Sequence, residues 1–222
     1  MPEKTDFLYP FIEGGERDSR SLLTDLAASA EAKAVESLRL RTETLAASED
    51  QLHQAAEAMA ARFDAGGRLF TFGNGGSSTD AATVADLFAS PPDGTALPAL
   101  TLACDEAILT ALGNDVGFDL VFSRQMIAHA HPGDMALGVS TSGNSRNVVL
   151  ALEEAARREV LTLGLVGYDG GQMARAGLDH CFVVGSDSVH RIQETQAFLI
   201  FDLWRRVQSA RLQSARHPKG MP

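Results

Sequence analysis

The chain has 222 residues, of which 45% are hydrophobic and 22% are charged, and its formal net charge is −10. This length can bury a sizeable core, and the composition excludes a disordered tail, a collagen-like repeat and a disulfide-stapled miniprotein. The acidic balance excludes a broad basic face, so we expect no nucleic acid partner. An anion would have to be bound by local backbone geometry rather than by bulk charge.

No membrane, secretion or cysteine-based pattern is found along the chain. The apolar stretches are shorter than the ~20 residues of a membrane span. Residues 1–9 lack the apolar core of a signal peptide, so we expect a cytoplasmic protein without a membrane partner. Cys104 and Cys181 form no CxxC pair, which leaves a zinc ribbon or a redox pair unsupported, and we expect both to be small buried hydrophobes.

The predicted elements begin with helices and continue as alternating strands and helices. Residues 16–63 contain no Gly or Pro and repeat apolar residues at helical intervals, which predicts helices that cover a sheet or a neighbouring subunit. The predicted strands are 68–72, 97–102, 135–139, 161–166 and 181–184. The predicted helices after residue 66 are 77–89, 118–129, 144–158, 172–176 and a long final helix over 189–210.

This alternation predicts an α/β fold, a three-layer α/β/α sandwich with a five-stranded parallel sheet, because parallel neighbours need crossover connections. No linker rich in Pro, Gly or Ser divides the chain. We therefore expect a helical N-terminal extension over residues 1–65, a ligand-binding domain over 66–211 and a flexible tail over 212–222.

Two hydroxyl-rich turns each follow a predicted strand and precede a predicted helix. The first reads Gly73-Asn74-Gly75-Gly76-Ser77-Ser78 and the second reads Ser140-Thr141-Ser142-Gly143-Asn144-Ser145. In a parallel sheet both lie at the carboxyl edge, where glycines let the backbone approach a ligand and helix N-termini attract anions. With strand order 2-1-3-4-5 the turns flank the reversal of strand order. The pattern predicts a phosphate cradle without lysine, for a small phosphorylated ligand.

Neither turn matches a nucleotide-binding motif. Gly75-Gly76 is followed by serines rather than by Lys and Ser or Thr, which excludes a P-loop, and the dinucleotide pattern fails at Ser78. The structural alternative is that both turns only cap helices, because Ser and Asn are favoured capping residues.

The residues around these turns resemble the sugar isomerase (SIS) domain family, and most of all the branch that contains phosphoheptose isomerases and the DnaA initiator-associating protein. The matching stretches, in the family's order, are 73–77, 113–115, 140–145, 169–171 and 191–194. The resemblance implies a flavodoxin-like SIS fold and assembly into a homotetramer or homodimer, with the N-terminal extension over residues 1–65 at the oligomer interface.

The resemblance also implies which residues meet a sugar phosphate, most readily a heptose phosphate. The phosphate would meet Ser140, Thr141, Ser142 and Ser145. The sugar end would be lined by Asn74, Gly75, Gly76, Ser77, Asn114, Asp115 and Gln193.

Four positions decide whether the family's chemistry is expected. Active members carry a His and a Glu on the helix after the first turn, and a Gln and a His on the last helix. The resemblance places these positions at Thr83, Leu87, Gln193 and Phe201. Moving a proton through an enediol needs an acid and a base, usually with zinc, and leucine and phenylalanine supply neither protons nor metal ligands.

Two main functional hypotheses follow. The first is a phosphosugar-binding protein without metal, cofactor or competent catalytic residues, which regulates or binds a protein partner. The alternative is a sedoheptulose 7-phosphate isomerase with an altered active site, for which zinc would be expected. A purely structural adaptor is a third hypothesis. Asp86 and His190 are weak substitutes for the missing groups, and Asp80 either caps its helix or touches the sugar.

Overall fold

The computed structural model describes residues 19–216 of the chain, and the side chains of residues 23–214. The chain divides into two compact units, Met1–Arg39 and Leu40–Pro222. Helix α1 (Ser19–Ala47) begins in the first unit and ends in the second, and all other described elements belong to the second unit.

The second unit alternates helices and strands. The further helices are α2 (Glu49–Asp64), α3 (Gly76–Ala89), α4 (Glu106–Asp115), α5 (Val121–His129), α6 (Arg146–Arg157) and α7 (Val189–Arg216). The strands are β1 (Leu69–Gly73), β2 (Ala99–Thr101), β3 (Met135–Ser140), β4 (Leu161–Gly167) and β5 (His180–Val184), and short 3₁₀ helices occupy Phe118–Leu120 and Met173–Arg175.

The five strands form one parallel sheet in the order β2-β1-β3-β4-β5. The register pairs Leu69 with Met135 and Met135 with Leu161, so the three central strands begin together. Every residue of these strands is buried, as expected of parallel strands that are covered on both faces. The strand order confirms the predicted sheet and places the reversal of strand order between β1 and β3.

The hydrophobic core forms one layer on each face of the sheet. One layer packs α2, α3 and α7 against strand residues that include Leu69 and Leu137. The other layer packs α5 and α6 against strand residues that include Phe70 and Phe72. Neighbouring residues of β1 therefore enter opposite layers, as the alternation of side chains along a strand requires. The predicted three-layer sandwich is confirmed.

The N-terminal helical region consists of two helices with a break at Ser48. Helix α2 buries Leu52, Met59 and Phe63 in the same core layer as α7, because its apolar residues recur on one face. This helix therefore belongs to the compact unit of the sheet, although the sequence assigned it to an extension over 1–65. The role of that extension as an oligomer interface stays a prediction.

Several boundaries differ from those predicted. Helix α4 was not predicted; it begins where the Asp105 carboxylate accepts a hydrogen bond from the backbone N–H of Ile108 at 3.0 Å. The short helix predicted near residue 174 is only a 3₁₀ turn. Helix α7 continues past residue 210 to Arg216, so the start of the predicted tail is helical. Residues 217–222 of that tail lie outside the described residues.

Two further expectations concern the burial of the two cysteines and the presence of membrane-spanning helices. Cys104 is exposed and Cys181 is half-buried, so the expectation that both are buried is wrong for Cys104, which follows the edge strand β2. Among the helices that the structure describes, none combines the length and the apolar character needed to cross a bilayer.

Candidate functional site

The two hydroxyl-rich turns lie side by side at the carboxyl edge of the sheet. The register pairs Gly73 at the end of β1 with Val139 near the end of β3. Each turn leads directly into a helix, the first into α3 and the second into α6. The N-termini of two helices therefore lie at the reversal of strand order, where parallel sheets open a crevice that binds ligands.

The hydroxyl groups of the second turn are linked to one another and to the backbone by hydrogen bonds. Ser140 is 2% exposed, and its Oγ donates to Oγ of Ser145 at 2.9 Å. Oγ of Ser142, which is exposed, accepts a hydrogen bond from the backbone N–H of Asn144 at 3.2 Å. Ser145 precedes α6, but its hydroxyl makes no capping hydrogen bond to the helix. Helix capping therefore does not account for this hydroxyl.

The neighbouring turn 169–171 packs against the second hydroxyl-rich turn. The side-chain oxygen of Asn144 accepts from the backbone N–H of Gln172 at 3.0 Å, and the backbone N–H of Met173 donates to the carbonyl oxygen of Gly143 at 2.9 Å. Gly143 has a φ of +65°, and a Cβ there would overlap the carbonyl oxygen of Gly170. Only glycine fits this position, so the stretch 169–171 acts by packing on the cradle.

The first turn is tied to the second by a pair of side-chain amides. Asn74 Nδ2 donates to Asn147 Oδ1 at 2.8 Å, and Asn147 Nδ2 donates back to Asn74 Oδ1 at 2.9 Å. Gly75, with a φ of +54°, and Gly76 are exposed, whereas Ser77 at the start of α3 is buried. The backbone of this turn is thus open to a ligand on the side of the two glycines.

Helix α7 reaches the start of α3 through Gln193. A Cβ on Gly76 would lie 2.8 Å from Nε2 of Gln193, and that nitrogen donates to Oδ2 of Asp80 at 3.4 Å. Burial raises the pKa of the Asp80 carboxyl above its usual range, and the hydrogen bond from Gln193 offsets only part of that effect. Asp80 therefore lies beside Gln193, in the first turns of α3.

The other three positions that the family resemblance singled out hold side chains that make contacts with nearby residues. The exposed Thr83 donates its hydroxyl to the carbonyl oxygen of Thr79, one turn earlier in α3, at 3.0 Å. Leu87 is half-buried and packs against the core. The ring of Phe201 lies 5.3 Å from that of Trp204, centroid to centroid.

These side chains do not fit a zinc ion. Zinc in proteins takes nitrogen, sulfur and carboxylate ligands, and of Thr83, Leu87, Gln193 and Phe201 none is of that kind. Within the described part of the chain, no three His, Cys, Asp or Glu side chains are grouped so that they could hold a metal.

The remaining predicted residues lie apart from the two turns or at their edge. Asn114 and Asp115 end α4; both are exposed, and Asn114 Nδ2 donates to Asp115 Oδ1 at 2.9 Å. His190 is exposed at the start of α7, and Asp86 is exposed on α3. Asn147 is the residue that sequence reasoning missed, although it lies in the helix that begins next to Ser145.

Comparisons with known proteins identify the family of this chain. A model of the SIS domain family matches residues 34–167. A phosphoheptose isomerase from Geobacter sp. (strain M21) is 42% identical over 169 residues, which cover 73% of this chain and 88% of that protein. One from Pelobacter propionicus is 47% identical over 140 residues, which cover 62% of this chain and 74% of that protein.

Two solved structures of phosphoheptose isomerases are similar to this chain over nearly their whole length. A phosphoheptose isomerase from Neisseria gonorrhoeae has a TM-score of 0.77 and 37% identity, with 83% of this chain and 99% of that chain covered. One from Francisella tularensis has a TM-score of 0.77 and 29% identity, with 82% and 98% covered.

Proposed function

This chain belongs to the SIS domain family, and on that premise we propose that the crevice between its two turns binds a phosphorylated sugar of the heptose phosphate class. The observation that carries the proposal is the second turn. It presents Ser140, Thr141, Ser142 and Ser145 at the N-terminus of α6, on a backbone shaped by Gly143. Hydroxyl donors and a helix N-terminus suffice to hold a phosphate without lysine.

The hydrogen bond between the two serines prepares this cradle for an anion. With Ser140 as donor, Oγ of Ser145 is already supplied with one hydrogen, and the hydroxyl hydrogen of Ser145 is free to point at a phosphate oxygen. Ser142, which is exposed at the rim, offers a second hydroxyl donor. We propose that Thr141 completes this end, and that Asn74, Gly75, Gly76 and Ser77 meet the sugar, with Gln193 opposite them.

The first candidate activity is the isomerisation of sedoheptulose 7-phosphate, a ketose, to an aldose phosphate. The 42% identity to a phosphoheptose isomerase over most of the chain supports it. We propose that the Asp80 carboxylate takes the proton from carbon 1 and returns it to carbon 2 of the resulting enediol. The hydroxyl on carbon 1 gives up its proton as the carbon 2 oxygen gains one, and the Gln193 amide donates to the oxygen that carries the developing charge.

The second candidate is sugar phosphate binding without turnover, in a regulatory or partner-binding role. The side chains of Thr83, Leu87 and Phe201 support it, because the first is bonded within its own helix and the other two are apolar. Loss of a general base typically lowers a rate by ~10²–10⁴-fold. Zinc has no place in this candidate.

The deciding experiment combines binding with turnover on the purified full chain. Sedoheptulose 7-phosphate at millimolar concentration should raise the melting temperature of the wild type, because a ligand stabilises the state that binds it. Ser142→Ala, at an exposed position, should lose this shift and keep the melting temperature of the free protein. The absence of any shift in the wild type would overturn sugar phosphate binding and favour the structural adaptor.

A coupled assay for the aldose phosphate then separates the two candidates. Product that disappears in Ser142→Ala supports the isomerase, and binding without product supports the regulatory protein. Metal analysis of the same sample adds an independent test. Zinc at one ion per chain would contradict the assignment of Thr83, Leu87 and Phe201 as non-ligands.

We also propose assembly into a homotetramer or homodimer and a cytoplasmic location. Phe198 and Phe201 of α7 are 45% and 46% exposed, which supports burial of this helix against another copy. The net charge of −10 supports the expectation that nucleic acid is not a partner. A protein partner belongs to the second candidate.

A further inference from the structure

The paired amides of Asn74 and Asn147 join the two halves of the crevice. Each amide donates to the other, at 2.8 and 2.9 Å, across 73 residues of chain. Asn74 belongs to the turn between β1 and α3, and Asn147 is the second residue of α6. We refer to these two amides together as the amide clasp.

The orientation of Asn147 is fixed from both sides. Its side chain is 2% exposed, and its Oδ1 also accepts a hydrogen bond from the backbone N–H of Val148 at 3.0 Å. The carbonyl oxygen of Asn147 therefore accepts from both Asn74 and Val148, and its NH₂ group donates to Asn74. A buried amide with these hydrogen bonds is held in one orientation, because rotating it by 180° would place its NH₂ group against the N–H of Val148.

Asn74 has a different environment from that of its partner. It is half-buried, and it is followed by Gly75 in a left-handed conformation and by the exposed Gly76. Glycine-containing segments of this kind have little conformational restraint of their own. The clasp supplies a restraint, since it links the segment to a helix whose first residues adjoin the serines of the second turn.

We propose that the amide clasp sets the spacing between the phosphate cradle and the sugar-lining turn, so that Asn147 is a positioning residue for the sugar end. This inference rests on the proposed function of the crevice. Asn147 does not contact the ligand itself; it acts through Asn74. Removing it should weaken the binding of a sugar phosphate while the binding of inorganic phosphate, which occupies only the cradle, is largely kept.

A purely structural role would give a different pattern. If the clasp only stabilised the fold, its removal would lower the melting temperature and affect both ligands alike. Thr162 provides the matched control: it is 1% exposed and exchanges two hydrogen bonds with Asp179, at 2.8 and 3.0 Å, at the amino-terminal end of β4. Thr162→Val removes two partly buried hydrogen bonds at the end of the strand opposite the two turns.

The test measures dissociation constants of sedoheptulose 7-phosphate and of inorganic phosphate for the full chain. Asn147→Ala should weaken sugar phosphate binding about tenfold, the effect of one or two lost hydrogen bonds, and phosphate binding less than about twofold. Thr162→Val should change neither constant. Asn147→Leu, of similar size to Asn, replaces the alanine variant if that variant does not fold.

A double-mutant cycle tests whether Asn147 acts through Asn74. In an Asn74→Ala background, adding Asn147→Ala should have almost no further effect on sugar phosphate binding, because the partner amide is already missing. Equal weakening of both ligands by Asn147→Ala, or the same effect in both backgrounds, would overturn the positioning role alone. Wild-type protein that binds phosphate but not the sugar phosphate would overturn the proposed function together with this inference.

Discussion

Two aspartates at opposite edges of the sheet have opposite electrostatic environments. At the amino edge, Asp134 is 4% exposed and accepts hydrogen bonds from the Arg68 side chain at 2.9 Å and from the backbone N–H groups of Arg68 and His131 at 2.8 and 2.9 Å. At the carboxyl edge, the Asp80 carboxyl receives one long hydrogen bond, 3.4 Å from the Gln193 amide. The Asp134 carboxylate therefore receives three hydrogen bonds from the protein, whereas the Asp80 carboxyl receives one long hydrogen bond.

The pKa values follow from this difference. Burial raises the pKa of Asp134, but the hydrogen bonds from Arg68 and from the backbone outweigh it, and the net pKa lies below the usual range. Burial also raises the pKa of Asp80, and there the single amide does not compensate. The amino edge is thus arranged for stability, whereas the carboxyl edge leaves a carboxylate available for a ligand.

The largest effect is expected from Asp80→Asn. If the chain turns over sedoheptulose 7-phosphate, this change should lower the rate by ~10²–10⁴-fold, the usual cost of losing a general base. Asparagine keeps the size of the side chain, so sugar phosphate affinity should stay within about threefold. The coupled assay and a thermal shift measure the two quantities separately.

The pH dependence of wild-type turnover tests the same role of Asp80. A base must be ionised, and the raised pKa of Asp80 means that its carboxylate takes up a proton at a higher pH than an ordinary Asp. Turnover should therefore fall with decreasing pH, beginning above the usual aspartate range. Asp86→Asn, at an exposed position on the same helix, is the control and should leave rate and profile unchanged. Turnover by Asp80→Asn at the wild-type rate would remove Asp80 from the mechanism.

The second effect in size is expected from Gly143→Ala. The φ of +65° and the overlap of a Cβ with the carbonyl oxygen of Gly170 force the cradle to change shape. Sugar phosphate and inorganic phosphate affinity should both fall, on the order of 100-fold, and the protein should be less stable by about 2 kcal/mol or more.

Gly177→Ala is the matched control for that change. Gly177 also has a positive φ, +69°, but a Cβ there meets no atom within 4 Å, and the residue precedes β5 at the amino edge. Its substitution should cost about 1 kcal/mol of stability and leave ligand affinity unchanged. Equal losses of affinity in the two variants would show that general destabilisation, rather than the shape of the cradle, controls binding.

A smaller effect, on stability alone, is expected from Asp134→Asn. The substitution should cost about 1–3 kcal/mol at neutral pH, because an amide cannot accept all the hydrogen bonds that the carboxylate accepts. Since the pKa of Asp134 is lowered by folding, its carboxylate stabilises the fold fully above the unfolded-state pKa, and this contribution is lost as the pH falls toward the folded-state pKa.

Melting temperatures of the wild type and of Asp134→Asn between neutral pH and pH ~3 test this, because the unfolded-state pKa of Asp is ~3.9. The difference between the two proteins should shrink as the pH falls below that value, and sugar phosphate affinity at neutral pH should be the same. A difference that stays constant with pH would mean that the carboxylate is not the stabilising group.

The sequence was sufficient to predict the fold and the position of the two turns at the carboxyl edge of the sheet. Short apolar runs bounded by Gly, Pro or Asp, such as that of β4, are typical of strands buried on both faces, and the second turn is recognised by its high serine content. Helix α4 was not predicted because it has only ten residues and contains Gly113, which disfavours a helix. Its N-capping Asp105 was the available signal.

The contacts within the site could not be predicted in the same way. The amide clasp joins residues that are 73 positions apart, and one asparagine in a helix does not indicate its partner. Burial raises the pKa of Asp80, and the amide that offsets part of this rise, that of Gln193, lies 113 positions away. Such properties arise from packing between distant segments. Residue types and their spacing alone do not predict that packing.

The smallest effect is expected from Thr83→Val, which tests the reaction end of the crevice. The hydroxyl of Thr83 is exposed and donates to the carbonyl oxygen of Thr79, so it is occupied within its own helix. Stability should change by no more than about 0.5 kcal/mol, and turnover and affinity by less than about twofold. Thr110→Val is the matched control, because the hydroxyl of Thr110 on α4 donates to the carbonyl oxygen of Glu106 at 2.6 Å in the same way. A tenfold or larger loss of turnover in Thr83→Val, but not in Thr110→Val, would show that threonine has taken over a catalytic task at this position.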